Sequence, residues 1–478
     1  MKRPNILLIH SDQHRYDAIR PHGNEVIRTP NLDRLAAEGA TFPHAFSTCP
    51  ICTPARASLL TGAWPTTHRS LCIPTSDFYQ PARRELPVLT ELLDDAGYYV
   101  GWVGKYHGEL EGRPTDHGVH DYVSNHGYRT WAESVGLPDH RRHTGGLFGS
   151  VLADRSSDQS PVAWQADRVL ELIGASAAQQ EANDGERPFF VRWDPPEPHL
   201  PCHPAKEFHE LYEGVEIPPW ASFPDALEGK PEPQRRQHDV WGTGGWTWED
   251  WEPIVRLYYA IISEIDHHVG RMLARLDELG LSEDTLVVYT CDHGDFAGGH
   301  GLFDKHFNMY DDVLRVPLIA RWPGHTEPGS RPEGFVSQEI DLARTVLEVA
   351  GIDPPESFVG RNVVSVADGT AGPRQDIFSQ YFGTESGMYS SRMLRDDRWK
   401  YAWNALHRDE LYDLEADPGE LTNVYDDPRY ADELARLRGR LVEWMEDVGD
   451  PLCNAWTKVE LLGAPNAWER ATKGLPNW

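Results

Sequence analysis

Lysine is rare in this sequence. Only eight of its 45 cationic side chains are lysines (Lys2, Lys105, Lys206, Lys230, Lys305, Lys400, Lys458 and Lys473), and the 45 face 75 carboxylates for a formal charge of −30 at pH 7. So large an acidic excess argues against a nucleic-acid partner, because phosphate binding is dominated by Lys and Arg contacts. Cysteine is scarce too: six (Cys49, Cys52, Cys72, Cys202, Cys291 and Cys453) in 478 residues are too few for a disulfide scaffold. Cys49-Pro-Ile-Cys52 has the spacing of a redox pair or of half a zinc site, but no second C-x-x-C accompanies it. No run approaches the ~18 apolar residues that a membrane-spanning helix needs, so no membrane partner is expected. The apolar run Ile6–Ile9, behind a charged start, is too short for a signal-peptide core. The chain as written is therefore expected to be soluble and cytoplasmic, or periplasmic or secreted if the sequence is a mature form. Internal repeats and low-complexity tracts are absent.

What remains is an ordinary globular composition, 40% hydrophobic and 25% charged, with length enough for two or three folding units. Asn5-Ile-Leu-Leu-Ile9 reads as a buried parallel strand that emerges into His10-Ser-Asp-Gln-His14. Residues 98–103, 188–193, 285–290 and 316–322 read as further strands. Residues 31–39, 86–97 and 255–279 read as helices. Strands alternating with helices imply an α/β fold with a doubly wound sheet. Two polar stretches, roughly 108–160 and 203–252, are expected to be surface loops that border a site. From about 376 the character changes: 391–403 looks like hairpin strands and 432–448 like a charged amphipathic helix. The change suggests a main α/β unit over 1–375 and a smaller α+β unit over 376–478.

Four clusters carry chemistry. Asp12-Gln13 and Asp292-His293-Gly294 both stand where a strand ends, the edge at which open α/β sheets bind ligands. Each alone reads equally well as a cap or a turn. Together, two carboxylates and an amide oxygen suit a hard divalent cation such as calcium or magnesium. The third cluster, Cys52-Thr-Pro-Ala-Arg56-Ala-Ser-Leu-Leu-Thr-Gly62, sets a cysteine at a helix start beside an arginine, an electropositive setting. The fourth is Gly104-Lys105-Tyr-His107. Lys305-His306 follows the fourth strand by about a dozen residues.

In this order the motifs resemble the type I, formylglycine-dependent sulfatases, of the alkaline-phosphatase superfamily. Cys-Thr-Pro-Ala-Arg with Ala-Ser-Leu-Leu-Thr-Gly is similar to the family signature. The likeness extends through Thr29-Pro-Asn-Leu-Asp-Arg-Leu35, Gly104-Lys-Tyr-His107, Tyr289-Thr-Cys-Asp-His-Gly-Asp295 and Arg315-Val-Pro-Leu318 to Glu410–Asn423. The resemblance implies an alkaline-phosphatase-like mixed sheet flanked by helices, with a small C-terminal subdomain, and sulfate ester hydrolysis. It implies that Cys52 is converted to formylglycine by a formylglycine-generating enzyme, and that its geminal diol attacks sulfur. Asp12, Gln13, Asp292, His293 and residue 52 would hold Ca²⁺, with Mg²⁺ as the alternative. Lys105 and Lys305 would clamp the sulfate oxygens, Arg56 would orient the diol, and His199 with Lys305 would protonate the leaving alcohol. His107 would take the proton that expels sulfate.

Three other readings stand beside it: a phosphonate or phosphate monoester hydrolase of the same superfamily, a non-enzymatic relative, and a redox or zinc role for Cys49 and Cys52. The resemblance implies that phosphonate hydrolases alter the Lys-x-His pair, which is intact here. For substrate, four tryptophans in 240–251 and His140, His143, His203 and His209 suit a sugar, so a carbohydrate O-sulfate is expected first. Aryl and alkyl sulfates, choline sulfate among them, come behind it. The sequence leaves the oligomeric state open.

Overall fold

The computed structural model describes residues 3–139, 146–182, 187–383 and 388–473. Its centre is a seven-stranded mixed sheet in the order Ala40–Thr41, Ile319–Arg321, Thr285–Cys291, Asn5–Ser11, Phe189–Asp194, Tyr99–Gly104, Asp121–Ser124. The five strands from Thr285–Cys291 to Asp121–Ser124 all run parallel, and Ile319–Arg321 is antiparallel to its neighbours. Every residue of Asn5–Ser11 is buried, as is every residue of the strands beside it. Burial on both faces explains why these segments read as continuous apolar runs.

Side chains alternate between two cores. Leu7, Ile9, Val191 and Val287 enter one, with helices Pro30–Glu38, Pro161–Ala182 and Trp248–Glu278 packed over them. Ile6, Leu8, Phe190 and Val288 enter the other, under helices Cys52–Thr61, Leu89–Asp95 and Gln338–Val349. Among the described residues no helix is long and apolar enough to cross a membrane.

The expected strand over 316–322 is divided. Arg315–Val316 joins a small sheet with Ala45–Phe46 and Val336–Ser337, whereas Ile319–Arg321 joins the main sheet. Pro317 has no N–H for a ladder, which suits a break between the two. The long helix begins at Trp248, seven residues before the expected start at Val255. Thr247 and Asp250 form a capping box there, and Pro253 is accommodated within the helix. Several elements were not expected, among them helix Pro161–Ala182, edge strand Asp121–Ser124 and helix Gly127–Ser134 inside the polar stretch 108–160, helix Glu232–Trp241 inside the stretch 203–252, and helix Gln338–Val349.

The C-terminal part is a four-stranded antiparallel meander, Ile377–Gly383, Tyr389–Arg395, Trp399–Asn404 and Glu410–Asp413. Helix Ala431–Asp447 covers it, with Trp444 stacked on Phe378 at 4.5 Å and edge-on to Trp64 of the main unit at 5.2 Å. Lys400, buried in the third strand, pairs with Asp311 at 2.5 Å and Glu420 at 2.6 Å. Through Asp311 the meander is thus tied to the short helix Asp311–Leu314 of the main unit.

Candidate active site

Four neighbouring parallel strands end on one edge of the sheet, and each delivers a charged residue there. In sheet order these are Asp292 after Cys291, Asp12 after Ser11, Asp194 at the end of Phe189–Asp194, and Lys105 after Gly104. Gly104 makes the last placement possible. Its φ is +116°, and a Cβ there would stand 2.1 Å from the Asp194 carbonyl oxygen. That carbonyl instead accepts from the Lys105 N–H at 2.7 Å.

Helix Cys52–Thr61 approaches the same edge end-on. All ten of its residues are buried, so its packing on both sides fixes where Cys52 sits. Donor atoms of Asp12, Cys52, Asp292 and His293 all lie within 4.8 Å of one another, a group that could hold a metal ion. Cys52 Sγ is 3.2 Å from His293 Nε2 and 3.7 Å from Asp12 Oδ1. His293 Nδ1–H donates to the Gly294 carbonyl at 2.9 Å, which leaves the Nε2 lone pair facing the group. Burial opposes charge on His293, yet Asp292 and Cys52 raise its pKa to about 9. Gln13 lies beside the group with φ 63°, its N–H donating to Asp292 Oδ1 at 3.1 Å. Its amide oxygen accepts from Lys305 at 2.7 Å.

Cations surround this cluster. Arg56 Nε donates to Asp292 at 2.7 Å, and its Nη1 to Asp194 at 2.9 Å. Lys105 Nζ pairs with Asp12. Lys305 Nζ lies 2.6 Å from His199 Nε2 and 2.9 Å from Asp304. Burial would raise the Cys52 thiol, but Lys105, Lys305 and His293 together hold it well below its ordinary range. Burial likewise works against Asp292, and Arg56 and His293 hold it well below the carboxylate range. His107 is reached through Thr53. Its Nδ1–H donates to Thr53 Oγ1 at 3.1 Å, and the Thr53 hydroxyl donates to the His107 carbonyl at 3.0 Å. Nε2 of His107 is then the basic nitrogen.

A sulfatase family model matches residues 4–352, and a model described as N-sulphoglucosamine sulphohydrolase, C-terminal, matches 298–447. The chain belongs to the sulfatase family. It is therefore a sulfuric ester hydrolase with the alkaline-phosphatase fold. An uncharacterized sulfatase, YidJ, of Escherichia coli (strain K12) is 30% identical over 94% of this chain and 89% of its own. The N-acetylglucosamine-6-O-sulfatase of Bacteroides thetaiotaomicron is 24% identical over 94% and 87%. Among solved structures, the phosphonate monoester hydrolase of Agrobacterium radiobacter superposes with a TM-score of 0.79 at 25% identity, covering 93% of this chain and 96% of that one.

In this sulfatase all ten residues singled out in the sequence converge on one edge. Sequence reasoning missed others. Asp194 accepts from Arg56, Arg192 and His10, and its pKa falls to about 2 because Arg192 and His10 outweigh its burial. It ends its strand as Asp12 and Asp292 end theirs, so the same rule would have found it. Asp304 pairs with Lys305, and Glu109 accepts from the His107 N–H at 2.9 Å. Both are local partners with no periodic signal.

A cavity of about 610 Å³ opens beside Asp12, Lys105, His107 and His199, walled by Tyr106, Asn125, His126, Glu197, Leu200 and His203. The tryptophans expected to face a sugar here do not line it. Trp251 is wholly buried against Trp246 and Phe303, and Trp248 packs on Trp220 and Phe223. Of the four histidines expected to read sugar hydroxyls, His203 lines the cavity and His209 lies in helix Lys206–Glu210 away from it. His140 and His143 fall outside the described residues. Cys49 is not among the clustered donors, and none of the six cysteines is in a disulfide among the described residues.

Proposed function

We propose that this sulfatase removes a sulfate group from a carbohydrate O-sulfate, with residue 52 as formylglycine and a divalent cation, calcium before magnesium, as cofactor. The observation that carries this reading is the convergence of Asp12, Cys52, Asp292 and His293 within 4.8 Å, ringed by Arg56, Lys105 and Lys305. The donor set fits a hard cation: two buried carboxylates, a histidine with its Nε2 lone pair turned inward, and Gln13 alongside. Formylglycine would supply a diol oxygen as nucleophile, and the bound ion would lower the pKa of that hydroxyl.

The chain's own residues do the rest. Lys105 and Lys305 bind the non-bridging sulfate oxygens from fixed positions, where preorganised charge is worth most. Arg56, held by Asp292 and Asp194, keeps the region near residue 52 positive. His199 Nδ1–H donates to the Leu200 carbonyl at 2.7 Å, which turns Nε2 toward Lys305, so the pair can pass a proton to the leaving alcohol. His107, aimed by Thr53, offers Nε2 as the base for the final proton. The sugar assignment is supported by the hydrogen-bonding walls of the cavity, Asn125, His126, Glu197 and His203, and by the saccharides named for one relative and for the C-terminal family model. A formylglycine-generating enzyme is the maturation partner that this reading requires.

A panel of defined sulfated saccharides, an aryl sulfate, choline sulfate and a phosphonate monoester, assayed for released product, tests it. The saccharides should give the highest kcat/KM. A second reading, phosphonate monoester hydrolysis, is favoured by the close superposition on such an enzyme, and a clear preference for the phosphonate would establish it instead.

A further inference from the structure

Glu197 has no part in the steps assigned to Lys105, His107 and His199, yet it lines the same cavity as those three and Asp12. Two anchors set its position. The Glu197 carbonyl accepts from the Asp12 N–H at 3.3 Å, so its main chain is bonded to a member of the metal cluster. One carboxylate oxygen, Oε2, accepts from Gln165 Nε2 at 3.3 Å. Gln165 is itself buried, and the same nitrogen donates to the Pro161 carbonyl one turn back in helix Pro161–Ala182. The other oxygen, Oε1, has no partner among the described residues and is not closed off from solvent.

Charge sets Glu197 apart from the other acids around the site. Asp12 is matched by Lys105, Asp194 and Asp292 by Arg56, and Asp304 by Lys305. Glu197 is matched by no cation among the described residues. The charges that act on it are two more carboxylates, Asp12 and Glu264. Lost solvation therefore pushes its carboxyl up to about 7, and Asp12 adds to the rise. Such a group is stabilised most by a cation brought to it. The sulfate end of the cavity does not supply one, because Lys105 and Lys305 are committed to Asp12 and Asp304.

We propose that Glu197 determines specificity by receiving an ammonium group of the substrate, so that the cavity selects sulfate esters of amino sugars with a free amine. The sulfate lies on Lys105 and Lys305, and the ammonium on Glu197, within one cavity of about 610 Å³, a usual size for a small-molecule site. The N–H bonds of a primary ammonium suit a carboxylate. A quaternary ammonium is held best by several aromatic faces. Here Tyr106 gives its hydroxyl to the Leu110 carbonyl, and most other walls are His, Asn, Pro and Leu. An anionic substituent in the same place would meet a carboxylate. The proposal rests on the reading that the Cys52 site acts on sulfated saccharides.

The test varies one charge on one ring. Glucosamine carrying a 3-O- or 6-O-sulfate is offered at pH 7 as the free ammonium, the N-acetyl amide and the N-sulfate, and loss of the O-sulfate is followed. Wild type should favour the ammonium form over the amide by about tenfold in kcat/KM, mainly through KM, the worth of one charge-assisted hydrogen bond. The N-sulfate should be the poorest of the three. Glu197→Gln should bring the ammonium-to-amide ratio close to one, whatever it does to the overall rate, whereas a merely structural loss would lower all three forms alike. Equal kcat/KM for the three forms in wild type, a preference for the N-sulfate, or a ratio unchanged in Glu197→Gln overturns the assignment. So does a preference for choline sulfate over every amino sugar. If wild type releases O-sulfate from none of the sugars, the saccharide reading fails, and the ammonium site is judged by calorimetry on wild type. Binding of 2-aminoethyl sulfate about tenfold tighter than ethyl sulfate upholds it, and equal binding overturns it.

Discussion

Replacing Asp194 by Asn removes a single charge from the most heavily paired carboxylate of the catalytic edge. Asp194 is fully buried and accepts from Arg192 Nε at 2.7 Å, Arg56 Nη1 at 2.9 Å and His10 Nδ1 at 3.1 Å. Arg56 has Asp292 and Asp12 as further partners. Arg192, stacked over Trp102 at 3.8 Å, has no other carboxylate among the described residues. The substitution therefore strands Arg192 as a buried charge, and breaking a buried pair by removing one partner costs about 3–5 kcal/mol. Linkage gives a similar figure. A pKa of about 2 against an unfolded value of 3.8 corresponds to roughly 2–3 kcal/mol.

The sign follows from the depressed pKa. The stabilisation is fully present above the unfolded value of 3.8 and is lost as pH falls through about 2. In urea unfolding followed by tryptophan fluorescence, Asp194→Asn should be destabilised at pH 7, and the gap to wild type should close toward pH 2. Adding Arg192→Met should restore much of the loss, with a coupling of about 2 kcal/mol in the double-mutant cycle. Wild-type stability of Asp194→Asn at pH 7, or a double variant no better than the single, would refute the reasoning.

Protein made with a formylglycine-generating enzyme should yield a tryptic peptide in which residue 52 has lost sulfur and gained oxygen; unmodified Cys52 in fully active enzyme would sink the nucleophile assignment. Exhaustive chelation should abolish activity, with calcium restoring it better than zinc. At a hundredfold excess over its Kd, calcium should stabilise the fold by about 2.7 kcal/mol, and Asp292→Ala should remove both effects while leaving most of the fold. His107→Ala should release about one equivalent of alcohol in a burst and then stall, since only the last proton transfer is lost. Lys105→Ala should slow the burst itself by about a hundredfold. Steady turnover of an aryl sulfate by His107→Ala, with no burst, would contradict the assigned roles.

Much of the site was legible because parallel strands obey a simple rule. A buried apolar run that ends in Asp, Gln or His delivers those groups to the carboxyl edge, as Asn5–Ser11 and Thr285–Cys291 do. Asp194, the last residue of Phe189–Asp194, obeys the same rule. The tryptophan cluster misled for a different reason. Composition marks aromatic residues but not which face they present, and the capped helix start at Trp248 turns Trp248 and Trp251 into packing residues.

By itself the sequence determined the strand and helix alternation, the buried character of the central strands, and the residues that stand at their ends. Local periodicity and capping chemistry decide those features within a few turns of chain. Only the tertiary structure decided that Ile319–Arg321 runs antiparallel, that Gly104 bends where the Asp194 carbonyl leaves no room for a Cβ, and that Lys305 reaches Gln13 and His199. Those depend on contacts between segments hundreds of residues apart, whose partners no local pattern names.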